Sequence, residues 1–253
     1  MNATVKKILK ITGIVLIVTV LSGYAVFAAV VTSNYHPDKM CNNVVVNILD
    51  FDKYKFINES TVYVTLKKAG LNPVGRTVTH QMSDRIEKCV ASINVVRSAI
   101  CYVASNGDVV INITQRDPVY RVITPKRSYY VDIDRKTMPV SKTFTTLLPL
   151  VTGYVTEEMA TGAVYDFITD LYSRQFWKNH IGQVNFTADG NIELVTKIGA
   201  GKIIINDLST YKTKLKQAED WYKQYPKQAW SNKYSVVDMR YNNLIYCKKG
   251  GNK

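Results

Sequence analysis

A long stretch without charge near the N-terminus constrains this chain more than any other feature of its sequence. Residues 11–35 contain no Asp, Glu, Lys or Arg. A helix of about 20 apolar residues is long enough to cross the hydrocarbon core of a bilayer. The sequence therefore predicts a transmembrane helix over residues 11–33, preceded by a cytoplasmic tail over residues 1–10. Lys6, Lys7 and Lys10 in that tail are expected to keep it in the cytoplasm, so that the rest of the chain is exported.

A cleaved signal peptide is the alternative interpretation of the same stretch. Val26 and Ala28 are small enough to stand before a cleavage site. The apolar core of a signal peptide is typically about 7–15 residues long, however, and this run is longer. The length therefore favours an uncleaved membrane anchor.

Residues 42–117 have the pattern of a small α+β domain. The order strand, helix, helix, strand, strand predicts two helices on one face of a three-stranded sheet. The elements are predicted at Val44–Ile48, Ser60–Ala69, Gln81–Ile93, Val95–Ala104 and Val109–Gln115. The helical spacing of Ile86, Val90 and Ile93 places them on one stripe. We expect this stripe to pack against Val46, Ile48, Ile100, Tyr102, Val109, Ile111 and Ile113.

The pattern of strands and helices in residues 118–249 predicts a second, mostly antiparallel β domain with flanking helices. One helix is expected near Thr156–Gln175, with Thr156 as its N-cap, and another ends near Tyr225. Two strands, Tyr234–Tyr241 and Leu244–Lys248, are expected to close the chain around a two-residue Asn242-Asn243 turn. The earlier strands are predicted at Val119–Thr124, Ser128–Ile133, Phe144–Leu148, Gly182–Thr187, Ile192–Lys197 and Lys202–Ile205. Residues 250–253 read as a disordered tail.

A search for catalytic, cofactor and metal motifs returns nothing specific. Gly199-Ala200-Gly201-Lys202 resembles the end of a phosphate-binding loop, but the flanking residues do not fit, and a hairpin turn explains it better. His36, His80 and His180 are far apart in sequence, so ordinary surface or capping roles are expected for them. We therefore predict no catalytic residue, no cofactor and no metal. Sequence leaves the pairing of Cys41, Cys89, Cys101 and Cys247 open, although Cys89 and Cys101 are one candidate disulfide.

The net charge of +13 is compatible with several classes of partner. Much of the surplus lies late in the chain, where the helix before Tyr225 carries Lys212, Lys214, Lys216 and Lys223. These lysines are interpreted either as the solvated face of a helix or as a surface that attracts an acidic partner or lipid headgroups. Nucleic acid is disfavoured because the predicted topology exports these residues.

Several short stretches, in order along almost the whole chain, resemble the FtsQ/DivIB family of bacterial cell-division proteins, in its Bacteroidetes-type branch. The stretches are Gln115-Arg116-Asp117-Pro118-Val119-Tyr120-Arg121-Val122, Tyr129-Tyr130-Val131-Asp132-Ile133-Asp134, Lys136-Thr137-Met138-Pro139-Val140-Ser141, Gly153-Tyr154-Val155-Thr156 and Asp238-Met239-Arg240-Tyr241-Asn242-Asn243-Leu244-Ile245-Tyr246-Cys247. The resemblance implies that residues 42–117 form a POTRA domain and that residues 118–249 form the family's β domain.

The resemblance also implies a function. It suggests a non-enzymatic scaffold of the divisome, single-pass in the inner membrane with most of the chain in the periplasm, concentrated at the division septum. The implied partners are FtsB/DivIC-like and FtsL-like proteins on the β domain, reached by β-strand addition, and other divisome components on the POTRA-like domain. The matching partner-binding residues are Arg240, Tyr241, Asn243, Leu244 and Tyr246.

Other interpretations remain open at this point. An anchored or secreted envelope enzyme with an unrecognised site is one, and an outer-membrane biogenesis factor is another, because POTRA domains also occur in such factors. At the level of single residues, Tyr241 and Leu244 are also explained if they simply pack the closing hairpin.

Overall fold

A computed structural model of the chain describes residues 3–34, 40–242 and 244–250. Its first element is helix α1, Ala3–Asn34. Within α1, the segment Ile11–Ala29 is long and apolar enough to cross a membrane, and none of it is buried against the rest of the protein. An apolar helix without protein cover is stable in a lipid environment. The helix therefore fits a single-pass membrane protein.

The first folded unit after α1 is a three-stranded sheet with two helices, and its elements follow the predicted order along the chain. Its elements are β1 (Val44–Ile48), α2 (Glu59–Lys68), α3 (His80–Ala91), β2 (Val96–Val103) and β3 (Val109–Gln115). The strand order is β1-β3-β2, with β1 parallel and β2 antiparallel to the central β3. Asn58 and Thr79 cap α2 and α3 by accepting hydrogen bonds from Thr61 N and Met82 N. Side-chain caps of this kind fix where each helix begins.

The core of this unit corrects one sequence prediction. Ile86 and Val90 of α3 are fully buried, as expected, and they pack in one cluster with Val46, Val109, Ile111 and Ile113. The prediction for β2 is wrong, because Ile100 and Tyr102 are 60% and 46% exposed. The alternate side chains, Ala99 and Cys101, face the helices instead. Both are small, and the Glu87 carboxylate on α3 comes close enough to accept a hydrogen bond from Cys101 N at 3.0 Å.

The second unit is built on a nine-stranded sheet with helices packed on it. Its strands are β4 (Pro118–Ile123), β5 (Ser128–Asp132), β6 (Thr137–Pro139), β7 (Leu150–Gly153), β8 (Ile181–Phe186), β9 (Ile192–Thr196), β10 (Lys202–Ile205), β11 (Tyr234–Asp238) and β12 (Tyr246–Lys249). Its helices are α4 (Glu157–Thr161), α5 (Ala163–Ser173), α6 (Gln175–His180), α7 (Tyr211–Gln224) and α8 (Pro226–Ala229). The strand order is β12-β11-β10-β9-β8-β7-β4-β5-β6. Five of its eight pairings are antiparallel, which agrees with a mostly antiparallel α+β domain.

Two elements of the second unit differ from the prediction. The expected strand at Phe144–Leu148 does not form, and the strand in this region is β7, which runs parallel between β4 and β8. Phe144 lies in the preceding loop and packs edge-on against Phe56. The predicted helix Thr156–Gln175 is interrupted at Gly162, whose ψ of −111° is not helical. The predicted cap is confirmed, since Thr156 accepts a hydrogen bond from Met159 N.

The closing hairpin also differs. Strand β11 ends at Asp238 and β12 begins at Tyr246, so seven residues connect them instead of the two-residue Asn242-Asn243 turn. The chain cannot turn directly after Asp238, because Met239 is fully buried and its N–H bonds to Ile204 O on β10 at 2.9 Å. Asn243 lies outside the described residues, as do residues 251–253 of the predicted tail.

A polar and aromatic junction joins the two units. Phe56 of the first unit contacts the rings of Tyr130 and Phe144 in the second. Arg97 pairs with Asp134 at 2.8 Å, and Arg116 pairs with the buried Asp132 at 2.7 Å. These contacts fix the orientation of the three-stranded sheet relative to the nine-stranded sheet.

Candidate partner-binding edge

In the part of the chain that the structure describes, strand β12 forms one edge of the nine-stranded sheet and pairs with β11 alone. Gly250 N donates to Lys233 O at 2.8 Å, and Asp238 is the register partner of Tyr246. Backbone groups point alternately to the two sides of a strand. It follows that Tyr246 and Lys248 bond to β11, while the N–H and C=O groups of Cys247 and the N–H of Lys249 point outward; the Lys249 C=O accepts a hydrogen bond from the Ser235 hydroxyl at 3.4 Å. The edge therefore presents a short row of backbone donors and acceptors.

The opposite edge of the same sheet is protected. Strand β6 is only three residues long, and its last residue is Pro139. Short edge strands and proline are common devices against unwanted strand pairing. Of the two edges of this sheet, β12 is the one suited to receive another strand.

The two faces of β12 differ in character. Ile245 and Cys247 pack against the main hydrophobic core on the side of the helices. Tyr246 on the alternate face is 59% exposed. On the helix side, a groove of about 360 Å³ runs between Ile245 and α7. Its α7 wall consists of Thr213, Lys216, Gln217, Asp220, Trp221, Gln224 and the adjoining Tyr225.

The residues predicted to bind a partner lie in and beside this edge. Tyr241, Leu244 and Tyr246 are 54%, 59% and 59% exposed. Tyr241 and Leu244 therefore keep more than half of their surface open to solvent. The fifth predicted residue, Asn243, cannot be placed because it lies outside the described residues.

Arg240 has a structural partner within the chain. Its Nε and a terminal nitrogen donate to the two carboxylate oxygens of Asp238 at 2.9 and 2.7 Å. These bonds lower the pKa of the nearly buried Asp238 and raise the pKa of Arg240. About one third of the Arg240 side chain stays exposed, so the guanidinium also faces the surface beside β12.

The sequence did not predict the structural role of Lys214, which supports the loop that carries Tyr241. Lys214 is buried, and its ammonium donates to Tyr241 O at 2.9 Å. The interpretation of Lys214 as part of a solvated helix face is therefore wrong. Its spacing contains a signal that would have placed it inward, since Ala218 and Trp221 follow at helical intervals of four and seven residues on the buried face.

The metal, disulfide, histidine and phosphate-loop candidates of the sequence can also be placed in the described residues, except for His36, which lies outside them. No three His, Cys, Asp or Glu side chains there lie in an arrangement that would hold a metal ion. The four cysteines are free thiols, so the candidate Cys89–Cys101 disulfide is not formed. His180 is buried rather than at the surface, and its Nε2 lies 2.5 Å from the Tyr222 hydroxyl. Gly199–Lys202 is the predicted turn between the antiparallel β9 and β10.

Comparison with known protein families identifies both units. The model described as FtsQ/DivIB, C-terminal related, matches residues 117–248, which is slightly more than half of the chain. The chain belongs to the FtsQ/DivIB family. The first unit matches the POTRA-like domain over residues 39–114. Both the predicted family and its POTRA-like, β-rich domain order are thereby confirmed.

Other comparisons add little to the FtsQ/DivIB assignment. No curated protein matches the chain significantly. Among solved structures, the chain is similar to the major extracytoplasmic domain, trans isomer, of the cell-division protein DivIB from Geobacillus stearothermophilus. The sequence identity is 10% and the TM-score is 0.30, with coverage of 45% of this chain and 96% of the other. At this similarity the assignment rests on the family models alone.

Proposed function

We propose that this FtsQ/DivIB-family protein is a non-enzymatic scaffold of the divisome that links membrane-proximal division proteins to a periplasmic FtsB/FtsL-type complex during septum formation. The open backbone edge of β12, flanked by the exposed Tyr241, Leu244 and Tyr246, is the observation that carries the proposal. The partners on this edge are a FtsB/DivIC-like and a FtsL-like protein. No cofactor or catalytic residue enters the proposed function.

Strand addition is the binding mode that suits the edge. An incoming strand would pair with the outward groups of Cys247 and Lys249, and its side chains would contact Tyr246 on one face and the α7 groove on the other. Lys248 and Lys249 are exposed toward one end of β12, and Arg240 follows β11 near the other end, so an acidic segment is favoured. Asn243 is included in the surface because it lies between Tyr241 and Leu244 in the sequence.

The proposed domain organisation and membrane topology place the β12 edge in the periplasm. In the proposed organisation, residues 1–10 are a cytoplasmic tail, 11–33 the membrane helix, 42–117 the POTRA-like domain, 118–249 the β domain and 250–253 a tail. The lysines before the apolar run support a cytoplasmic N-terminus, with the two domains in the periplasm. The POTRA-like domain would contact other divisome components near the inner membrane, and the protein would concentrate at the septum.

Capture of the FtsB/FtsL-like pair by the full-length protein tests the proposal. Tyr241→Ala and Leu244→Glu are expected to reduce capture about tenfold or more, because exposed aromatic and aliphatic anchors dominate such interfaces. Cys247→Pro removes an outward N–H and should have the same effect, whereas Tyr246→Pro also breaks a bond to β11.

The matched control is Leu147→Glu, since Leu147 is a fully exposed leucine in the loop before β7. It should bind like the wild type. Every variant is first required to show a native unfolding transition. If folded Tyr241→Ala, Leu244→Glu and Cys247→Pro all capture the pair at the wild-type level, the β12 edge is not the interface, and α7 is the next surface to test.

A further inference from the structure

The chain enters the POTRA-like domain at one end, beside two loops. Cys41 N donates to Arg76 O at 2.8 Å and Gly75 N donates to Cys41 O at 2.9 Å, which holds the entering chain to the loop between α2 and α3. The Asn42 side chain donates to Asn106 O at 3.1 Å, in the turn between β2 and β3. The entry point and the two loops therefore share one end of the domain. We call it the entry end, and it consists of residues 40–42, 67–79 and 105–108.

The length of the connection to α1 keeps the entry end close to the bilayer. Helix α1 ends at Asn34, and residues 35–39 join it to Met40. A fully extended connection of this length spans about 20 Å at most. The POTRA-like match covers residues 39–114, and a domain of that size has a radius of gyration of roughly 11 Å and a diameter of about 30 Å. Since the connection is shorter than the domain is wide, the entry end is the part held nearest the membrane surface.

The contacts with the β domain lie at the opposite end of the POTRA-like domain. Phe56, in the loop after β1, contacts the ring of Tyr130, and Arg97 at the start of β2 pairs with Asp134. Strand β2 runs from this junction to the turn at the entry end. The junction therefore leaves the entry end to face the bilayer.

The entry end carries a surplus of positive charge. Residues 60–83 contain no Asp or Glu, but they contain Lys67, Lys68 and Arg76, and all three are exposed. In the β2–β3 turn, Asp108 supplies one negative charge, and its carboxylate accepts a hydrogen bond at 2.6 Å from the side-chain amide of the same turn. Three cations against one such carboxylate make a surface that an anionic lipid leaflet attracts.

Two apolar side chains remain exposed among these cations. Met40 is 61% exposed and Val74 is 48% exposed. The two residues lie side by side, because Met40 forms a β-bridge with Thr77 and Cys41 forms the next one with Val74. Exposed apolar side chains next to basic ones are the combination that binds the boundary between headgroups and acyl chains.

We propose that the entry end of the POTRA-like domain docks on the anionic lipid surface of the membrane that α1 spans. Lys67, Lys68 and Arg76 face the lipid phosphates, and Met40 and Val74 insert among the headgroups. The contact holds the domain upright, with the junction and the β domain away from the bilayer. This surface is separate from the β12 edge.

Photocrosslinking of the full-length protein in nanodiscs tests the proposal. The photoreactive residue p-benzoylphenylalanine takes the place of Val74 or, as the matched control, of Leu49, which is 67% exposed at the far end of β1. The discs contain phosphatidylcholine alone or mixed with phosphatidylglycerol, and mass spectrometry measures the lipid adduct. Position 74 should give at least about fivefold more adduct in the anionic discs, the factor that one cation near an anionic surface contributes. Position 49 should give the same low yield in both.

Charge reversal separates attraction by lipid from proximity imposed by the anchor. The double variant Lys67→Glu/Lys68→Glu keeps α1 and the connection, so its adduct at position 74 in anionic discs should fall at least about tenfold. Lys55→Glu/Lys88→Glu reverses two exposed lysines at the far end of the same domain and should keep the wild-type yield. High salt should lower the wild-type yield, because it screens the attraction.

Each variant is first required to show a native unfolding transition. The proposal is overturned if position 74 gives equal adduct in the two kinds of disc, if folded Lys67→Glu/Lys68→Glu keeps the wild-type yield, or if the main product at position 74 is a crosslink to a second copy of the chain. Capture of the FtsB/FtsL-like pair by Lys67→Glu/Lys68→Glu should stay at the wild-type level, which separates this result from failure of the β12 edge.

Discussion

His180 shows how the surroundings of a single residue determine its protonation. Its ring is buried among aromatic side chains, with the centroids of Tyr222, Trp230 and Phe176 at 4.7, 4.9 and 5.6 Å. Burial, aided by the nearby Lys197, lowers the pKa of His180 from 6.5 to about 4. The folded state therefore keeps a neutral imidazole under conditions in which an unfolded chain would bind a proton.

The pKa of His180 predicts a loss of stability in mild acid. Well above pH 6.5 the imidazole is neutral in both states, so the titration of this group does not affect folding there. Between pH 6.5 and about 4 only the unfolded state takes up the proton, and the free energy of unfolding should fall by about 3 kcal/mol. The measurement is urea unfolding at pH 7, 5.5 and 4.5, compared with His180→Gln, which retains a hydrogen-bonding side chain for Tyr222.

The variant should have the shallower pH dependence, because glutamine does not titrate. Carboxylates that also titrate in this range contribute equally to both proteins and cancel in the comparison. Equal slopes for the wild type and His180→Gln would show that His180 is not held neutral by the fold.

Residue-level prediction from the sequence succeeded where a position depends on its local neighbours. Thr156 is an N-cap because a side-chain oxygen there meets a free backbone N–H three residues later. By residue type, Lys214 was assigned to the surface and His180 to a surface or capping role, yet both are buried. Each is accommodated by one specific distant group, Tyr241 O for Lys214 and the Tyr222 hydroxyl for His180, and such long-range pairs leave little trace in a single sequence.

At the scale of elements, helix α3 and strand β2 show which face of an amphipathic element enters the core. The stripe of α3 that contains Ile86 and Val90 was predicted from its helical period and is fully buried. On β2 the larger side chains, Ile100 and Tyr102, were assigned to the core, but the smaller Ala99 and Cys101 are inside. Alternation identifies two faces of a strand without stating which one a helix will cover.

This difference predicts opposite outcomes for the same substitution at two isoleucines. Ile86→Ala removes a fully buried side chain and should lower the free energy of unfolding by about 2–5 kcal/mol. Ile100→Ala is the matched control and should change it by less than about 1 kcal/mol, because Ile100 is 60% exposed. Urea unfolding followed by circular dichroism measures both. A larger loss at Ile100 than at Ile86 would reverse the assignment of the β2 faces.

The closing hairpin and the loop of Phe144 mark where local patterns fail for whole elements. The Asn242-Asn243 pair satisfies the sequence requirements of a tight turn. Met239, however, still pairs with β10, so the chain reverses direction later and the connection to β12 is longer. Phe144 and its neighbours have the apolar content of a strand, but Phe144 packs against Phe56 of the other domain. In both cases tertiary contacts override a reasonable local signal.

At the scale of the whole molecule, the junction determines whether the anchored POTRA-like domain and the β12 edge behave as one body. Asp132 lies in it with its side chain 1% exposed, bonded to Arg116 and to the backbone N–H groups of Asp134 and Lys136. Phe56 is the aromatic centre, with Tyr54, Tyr130 and Phe144 around it. A junction of this kind couples the stabilities of the two domains, because unfolding of either one exposes the side chains that it covered on the other.

The junction predicts that the two domains of the wild type unfold together and that Phe56→Ala separates them. All three tryptophans, Trp177, Trp221 and Trp230, lie in the nine-stranded domain, so their fluorescence reports that domain alone. Cys101 is buried in the POTRA-like domain, and pulsed thiol labelling read by peptide mass spectrometry reports that one. In urea, the two wild-type midpoints should coincide. In Phe56→Ala, the Cys101 midpoint should move to lower urea by an amount that corresponds to about 2 kcal/mol, while the tryptophan midpoint moves less.

Phe51→Ala serves as the control, because Phe51 is a 44% exposed phenylalanine of the same domain and makes none of the junction contacts described above. Midpoints that already differ in the wild type, or that stay together in Phe56→Ala, would mean that the aromatic junction does not couple the anchored domain to the partner-binding edge.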